Sequence, residues 1–333
     1  MVVPRRRVTA RGVLIAGLLA ATTPHVMAAD PAAGPTATGE TTDEIVVTAR
    51  RSGAPMWTIK TPTGTVILVG EIRNVPKATP WRPERLEGAT ERAQRVILGT
   101  KAKVSPGDIL RLIFKGGGLT KLPKGRVAAD YLDVHQIARL RALEARFDQD
   151  YAQKNFLMTA FDLLAKRLAF NRDTADDASD IVRKAANRAD IPAQPVGEMR
   201  GEDMLDNLFA AAPETHIPCL DAAMTATEAG GDIVAARGQA WTEFDVPAVM
   251  ANPLERALGR CWPWTNDGFG PALRQQWVGA INDAAAKPGV TLAVVPLLVL
   301  AEPDGVLDRL RAQGLPIVGP AWTAPISAGA SPS

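Results

Sequence analysis

The chain has 333 residues, 38 of them basic and 36 acidic, for a formal net charge of +2. Arg5, Arg6, Arg7 and Arg11 lie in a leading segment with no acidic residue; without them the balance is 34 basic to 36 acidic, a net charge of −2. The positive surplus therefore belongs to the amino terminus, and the rest of the chain lacks the charge balance of a nucleic-acid-binding protein.

That terminus has the layout of a secretory signal peptide. A basic stretch is followed by a short apolar run from Val13 to Ala21 and by the small residues of Val26-Met27-Ala28-Ala29. Cleavage is expected near Ala28, leaving the mature chain in the periplasm or secreted. The apolar run falls short of the roughly 20 residues needed to cross a bilayer. Residues 29–52 read as a flexible linker, small, polar and rich in Thr, Pro and Gly. Within it, DEIVVTARR is β-prone, and two readings stand. It begins the first strand of the fold, or it resembles a TonB box, which would make TonB a partner through Glu44 to Arg50 by strand addition.

The remaining span of about 275 residues suffices for one large domain or two small ones. Two β-prone runs, 56–60 and 65–70, flank the turn-type tetrapeptide Thr61-Pro62-Thr63-Gly64 and predict a hairpin. A helix follows over 83–94 with Pro at its start, then a short strand over 95–98. Ser105-Pro106 marks the start of a helix through Phe114. From about residue 130 to 286 the pattern is helical, as in LDVHQIARLRALEARF and QKNFLMTAFDLLAKRLAF, with a break at Gly230-Gly231 and a short Pro-broken strand over 191–196. The ending returns to a β/α pattern. A strand spans 290–300, too short to cross a membrane, then come a helix over 306–313, a Gly314 C-cap and a final strand over 316–319. The sequence predicts an α/β (α+β) fold: a central mixed sheet built from both ends of the chain, over 53–322, with a large helical insertion and a disordered tail at 323–333.

The arrangement carries a family resemblance. Met56-Trp57 on the first strand, a second strand ending at Gly70, Glu198 in a mid-chain Gly-Glu-Met and the closing GVLDRLRAQGLPIV together resemble the TraB/GumN family, which includes the Tiki metalloproteases. The resemblance implies two strand ends of the form G-x-x-H that present imidazoles to one cleft. With carboxylates, they would suit Zn²⁺, Mn²⁺ or Co²⁺ and activate water for hydrolysis.

This chain departs at those positions. The first motif reads Gly70-Glu71-Ile72-Arg73, with Arg73 in place of histidine; the second aligns with Pro296-Leu297-Leu298-Val299, where both Gly and His are gone; and Gly99 stands where relatives carry a glutamate. Arginine stays protonated and offers no lone pair to a metal. The mature histidines, His135 and His216, read as surface or helix-end residues and form no metal-binding pair. Glu198, and Arg274 near the family's R-N motif, remain. Arg73 is then either a fixed cation paired with Glu198 or Glu71 in place of a metal, or a surface loop residue released from constraint. No metal or cofactor is expected. The expected function is an exported binding or scaffold protein of the periplasm or envelope, acting on an envelope protein or peptide. The alternative is a peptidase-like hydrolase rebuilt on Glu71, Arg73, Glu198 and Arg274.

The other signals are bland. Cys219 and Cys261 are the two cysteines, equally readable as a disulfide and as free buried thiols. Lys115-Gly116-Gly117-Gly118 reads as a mobile surface loop, Trp262-Pro263-Trp264 as a core corner, and the acidic 173–180 run as a solvated helix start.

Overall fold

The computed structural model describes residues 37–261, 263 and 269–324. The expected signal peptide, the first part of the expected linker, Trp262, Trp264 and the expected tail at 325–333 lie outside the described residues. Among the described residues eight strands form in chain order: β1 (Met56–Lys60), β2 (Gly64–Glu71), β3 (Arg95–Leu98), β4 (Lys101–Lys103), β5 (Ala193–Pro195), β6 (Glu198–Arg200), β7 (Gly289–Pro296) and β8 (Ile317–Val318). Six of them make a mixed sheet in the order β5-β3-β7-β2-β1-β8, and β4 and β6 make a separate parallel pair.

The two ends of the chain meet at the centre of this sheet. β2 and β7 run parallel in register from Gly64↔Gly289 to Glu71↔Pro296. β3 joins the other side of β7, also parallel, and β1 folds back on β2 as the expected hairpin. A strand flanked on both sides and covered on both faces reads as a continuous apolar run. All eight residues of β2 are buried, as is the interior of β7.

Helices cover the sheet. Pro83–Thr90 packs between Ala37–Arg50 and Ala178–Arg188, while Phe269–Ala285, Leu297–Ala301 and Val306–Ala312 pack on one another beside β2. The helical insertion has its own apolar cluster, centred on Phe156, Leu163, Leu220 and Leu254 and joined by a disulfide between Cys219 and Cys261. It is not a separate block from residue 130 to 286. Ile181, Val182, Trp241, Val246 and Trp277, all inside that span, belong to the core of the sheet. No helix among the described residues is long and apolar enough to cross a membrane.

Several local readings need correction. The linker expected over 29–52 is helical from Ala37 to Arg50, and Ile45, Val46 and Ala49 are buried. These residues sit at i, i+1 and i+4, so one helical face takes them all into the core. A strand or a TonB-type added strand would split them between two faces. The strand expected over 290–300 stops at Pro296, which has no N–H to extend the ladder, and Leu297–Ala301 turns into a helix. His216 sits at a helix end, as one of its two readings had it, but is buried with its Nδ1 unpartnered, whereas His135 is exposed as expected. The glycines after Lys115 form helical turns instead of an open loop.

Candidate functional site

Parallel α/β sheets bind ligands outside the carboxyl ends of their strands, where neighbouring connections diverge. A cavity of about 380 Å³ opens here at those ends of β2, β3 and β7. Glu71, Gly99, Thr100 and Pro296 line its floor, while Phe161 and Phe170 of the insertion and Leu273 and Trp277 of the Phe269–Ala285 helix form apolar walls. The sheet and the insertion thus contribute to a single cleft, which neither encloses alone.

Glu71 is the last residue of β2 and is buried. Its Oε1 accepts a 2.7 Å hydrogen bond from the backbone N–H of Ser179, in the first turn of the Ala178–Arg188 helix. Burial pushes its pKa above the ordinary carboxylate range, and the hydrogen bonding at Ser179 only partly offsets that effect. Nearby Asp177 adds to the rise and Arg73 opposes it weakly. The cavity floor therefore carries a carboxyl group that holds its proton more tightly than a free glutamate does.

On both sides of Glu71 the chain is pinned by its backbone. Trp241 Nε1 donates to the Gly70 carbonyl at 2.8 Å, Arg237 Nη1 to the Arg73 carbonyl at 2.9 Å, and the Asn74 N–H to Asp177 Oδ1 at 2.9 Å. Asn74 takes the left-handed conformation, φ 57°, that turns the loop. Gly70 is needed for close approach: a Cβ there would lie 2.8 Å from Leu297 Cδ1 and 3.0 Å from the Trp57 ring. Arg237 is itself buried beside Glu255, Nε to Oε2 at 2.5 Å, and both residues line the cavity. This buried ion pair is the bracket of the site.

The four residues singled out from the sequence do not converge. Glu71 and Arg73 line the cavity, but the Arg73 side chain is exposed and has no ion-pair partner among the described residues. Glu198 is exposed and pairs with Lys103 across the β4–β6 ladder. Arg274 pairs with Glu302 at 2.5 Å outside the cavity wall, and burial raises the pKa of Glu302 against the pull of that arginine. Gly99 lines the cavity, whereas Val299 is buried in the helix after β7 and does not reach it.

The donors present do not fit the metal site that the resemblance implies. Among the described residues no group of three or more His, Cys, Asp or Glu is placed to hold a metal ion. The acids and the cysteine lining the cavity have other partners: Glu71 accepts from a backbone N–H, Glu255 pairs with Arg237, and Cys261 is in its disulfide. Sequence reasoning passed over Arg237, Glu255, Ser179 and Trp277. Arg237 and Glu255 lie 18 residues apart on separate helices, and a charged residue in a helical pattern looks the same whether it faces water or a buried partner.

No curated protein and no solved structure is significantly similar to the chain. Residues 55–318 match the TraB/PrgY/gumN family, a span running from the start of β1 to the end of β8. The sheet, the insertion and the cavity all fall within that match, and the chain belongs to the TraB/PrgY/gumN family.

Proposed function

We propose that this family member is an exported binding protein of the periplasm or envelope that has lost metal-dependent hydrolysis and keeps the family cleft for a ligand. The observation that carries the reading is the cavity itself. It sits at the strand ends where the resemblance implies two imidazoles, yet it is floored by a buried Glu71, whose pKa burial raises, and walled by Phe161, Phe170, Leu273 and Trp277. Such a lining suits a ligand with an apolar body and one hydrogen-bond-accepting group, such as an apolar side chain of an envelope peptide with its carbonyl. The apparent leader ending near Ala28 supports the location.

Titration of the purified mature protein with Zn²⁺, Mn²⁺ and Co²⁺ by calorimetry is expected to show no stoichiometric site. Tight uptake of one equivalent of any of them overturns the reading. The rebuilt hydrolase has one observation in its favour, since a buried carboxyl with a raised pKa in a cavity is what a general acid requires. It has against it that Glu198 and Arg274 are engaged elsewhere. Peptide turnover abolished by Glu71→Gln would establish it. The TonB reading requires the 37–50 helix to unwind and expose Ile45 and Val46, and nothing in the packing favours that.

A further inference from the structure

The helix Pro106–Lys115 is packed inside out. Its polar side faces the protein: Asp108 is buried and closes a capping box with Ser105, and Arg111 pairs with Asp206 of the neighbouring Gly201–Ala210 helix. Its apolar side faces away. Ile109, Leu110, Leu112, Ile113 and Phe114 are all exposed, Ile113 to 67% and Phe114 to 81%. Val104, just before the helix, is exposed as well. Isolated exposed apolar residues are ordinary, but five within six positions of one helix form a contiguous patch that water does not favour.

The charge around this patch differs from the rest of the chain. Residues 101–126 carry seven cations against a single acid, Asp108, whereas the chain without its leader has a net negative balance. Lys103, Arg111 and Arg126 are matched by Glu198, Asp206 and Asp130. Lys101, Lys121 and Lys124 are exposed and have no ion-pair partner among the described residues. Acids on the adjacent helix are mostly engaged, Glu202 by Arg200 and Asp206 by Arg111, leaving Asp203. An outward apolar helix with unpaired lysines before and after it matches an interfacial helix, whose side chains enter the acyl boundary while lysines meet lipid phosphates.

We propose that Pro106–Lys115 docks the protein on an anionic phospholipid surface, with Ile109, Ile113 and Phe114 inserted and Lys101, Lys121 and Lys124 at the headgroups. This is peripheral attachment through a short helix, separate from the cavity, and it stands or falls without the binding reading above.

The test is co-sedimentation of the purified mature protein with vesicles of phosphatidylethanolamine and phosphatidylglycerol, against vesicles of phosphatidylcholine. Binding is expected to the anionic vesicles alone and to weaken with salt. The double substitution Ile113→Ser, Phe114→Ser is expected to weaken it about tenfold or more. Lys121→Glu with Lys124→Glu is expected to remove the preference for anionic lipid. Both pairs alter exposed side chains, so an unchanged melting temperature confirms that the fold is intact. Equal binding to both vesicle types, or binding to neither, overturns the proposal. So does a concentration-dependent dimer in analytical ultracentrifugation that the Ile113→Ser, Phe114→Ser pair dissolves, which would assign the patch to a second copy of the chain.

Discussion

Replacing Arg237 by methionine is the most severe single change the site predicts. Arg237 and Glu255 have side chains only 2% and 3% exposed. Methionine fills much of the space of the arginine stem and leaves the Glu255 carboxylate without its cation. Stranding one member of a buried pair costs about 3–5 kcal/mol. The Arg73 carbonyl also loses its donor, a partly buried hydrogen bond worth about 1 kcal/mol. The sum, about 4–6 kcal/mol, is a large share of the roughly 5–15 kcal/mol that holds a typical fold. With a urea slope of about 3 kcal/mol/M, the unfolding midpoint should fall by roughly 1–2 M. The double substitution Arg237→Met, Glu255→Leu removes the stranded charge and should recover most of the loss, since an apolar pair of similar volume often replaces a buried ion pair without penalty. Urea unfolding followed by tryptophan fluorescence measures all three proteins. A single-mutant loss below about 1 kcal/mol, or a double mutant no better than the single, would refute the bracket as described.

Two further predictions test the floor of the cavity and the insertion. Because the folded-state pKa of Glu71 is raised, the folded state holds the proton more tightly than the unfolded chain. The resulting stability is fully present below the ordinary glutamate pKa and is lost as pH rises through the raised value. Glu71→Gln keeps an acceptor for Ser179 and removes that titration, so its stability measured from pH 4 to 8 should fall less than the parent's over the rising limb; an identical profile would contradict the buried assignment. The Cys219–Cys261 bridge spans 42 residues, for which loop-closure entropy gives about 4 kcal/mol. Reduction, or Cys219→Ser with Cys261→Ser, should loosen the 217–229 helix in hydrogen exchange before the sheet, and unchanged protection there would show that the insertion does not depend on the link.

The elements legible in advance were those in which local signals agree. The hairpin at 61–64, the Ser105 cap, the break at Gly230-Gly231 and the Gly314 stop each rest on a turn or cap residue whose backbone preference acts within a few positions. The 37–50 segment misled because Thr, Gly and Asp are poor helix formers, and the burial of Ile45, Val46 and Ala49 overrides that preference. In the site, Glu71 and Gly99 were within reach because a strand end announces itself. The pairing of Arg73 with Glu198 failed because β4 and β6 form their own ladder, which places Lys103 beside Glu198.

The sequence by itself determined that strands near the two ends of the chain make the centre of one sheet and that a largely helical stretch lies between them. Those statements follow from periodicity, turn chemistry and residue identity, all of which are local. Only the tertiary structure decided which charges are buried together, that Cys219 meets Cys261, and that one helix turns its apolar face outward. Burial and pairing are properties of neighbours brought together by packing, and a charge or an apolar stripe reads the same along the chain whichever way its helix is turned.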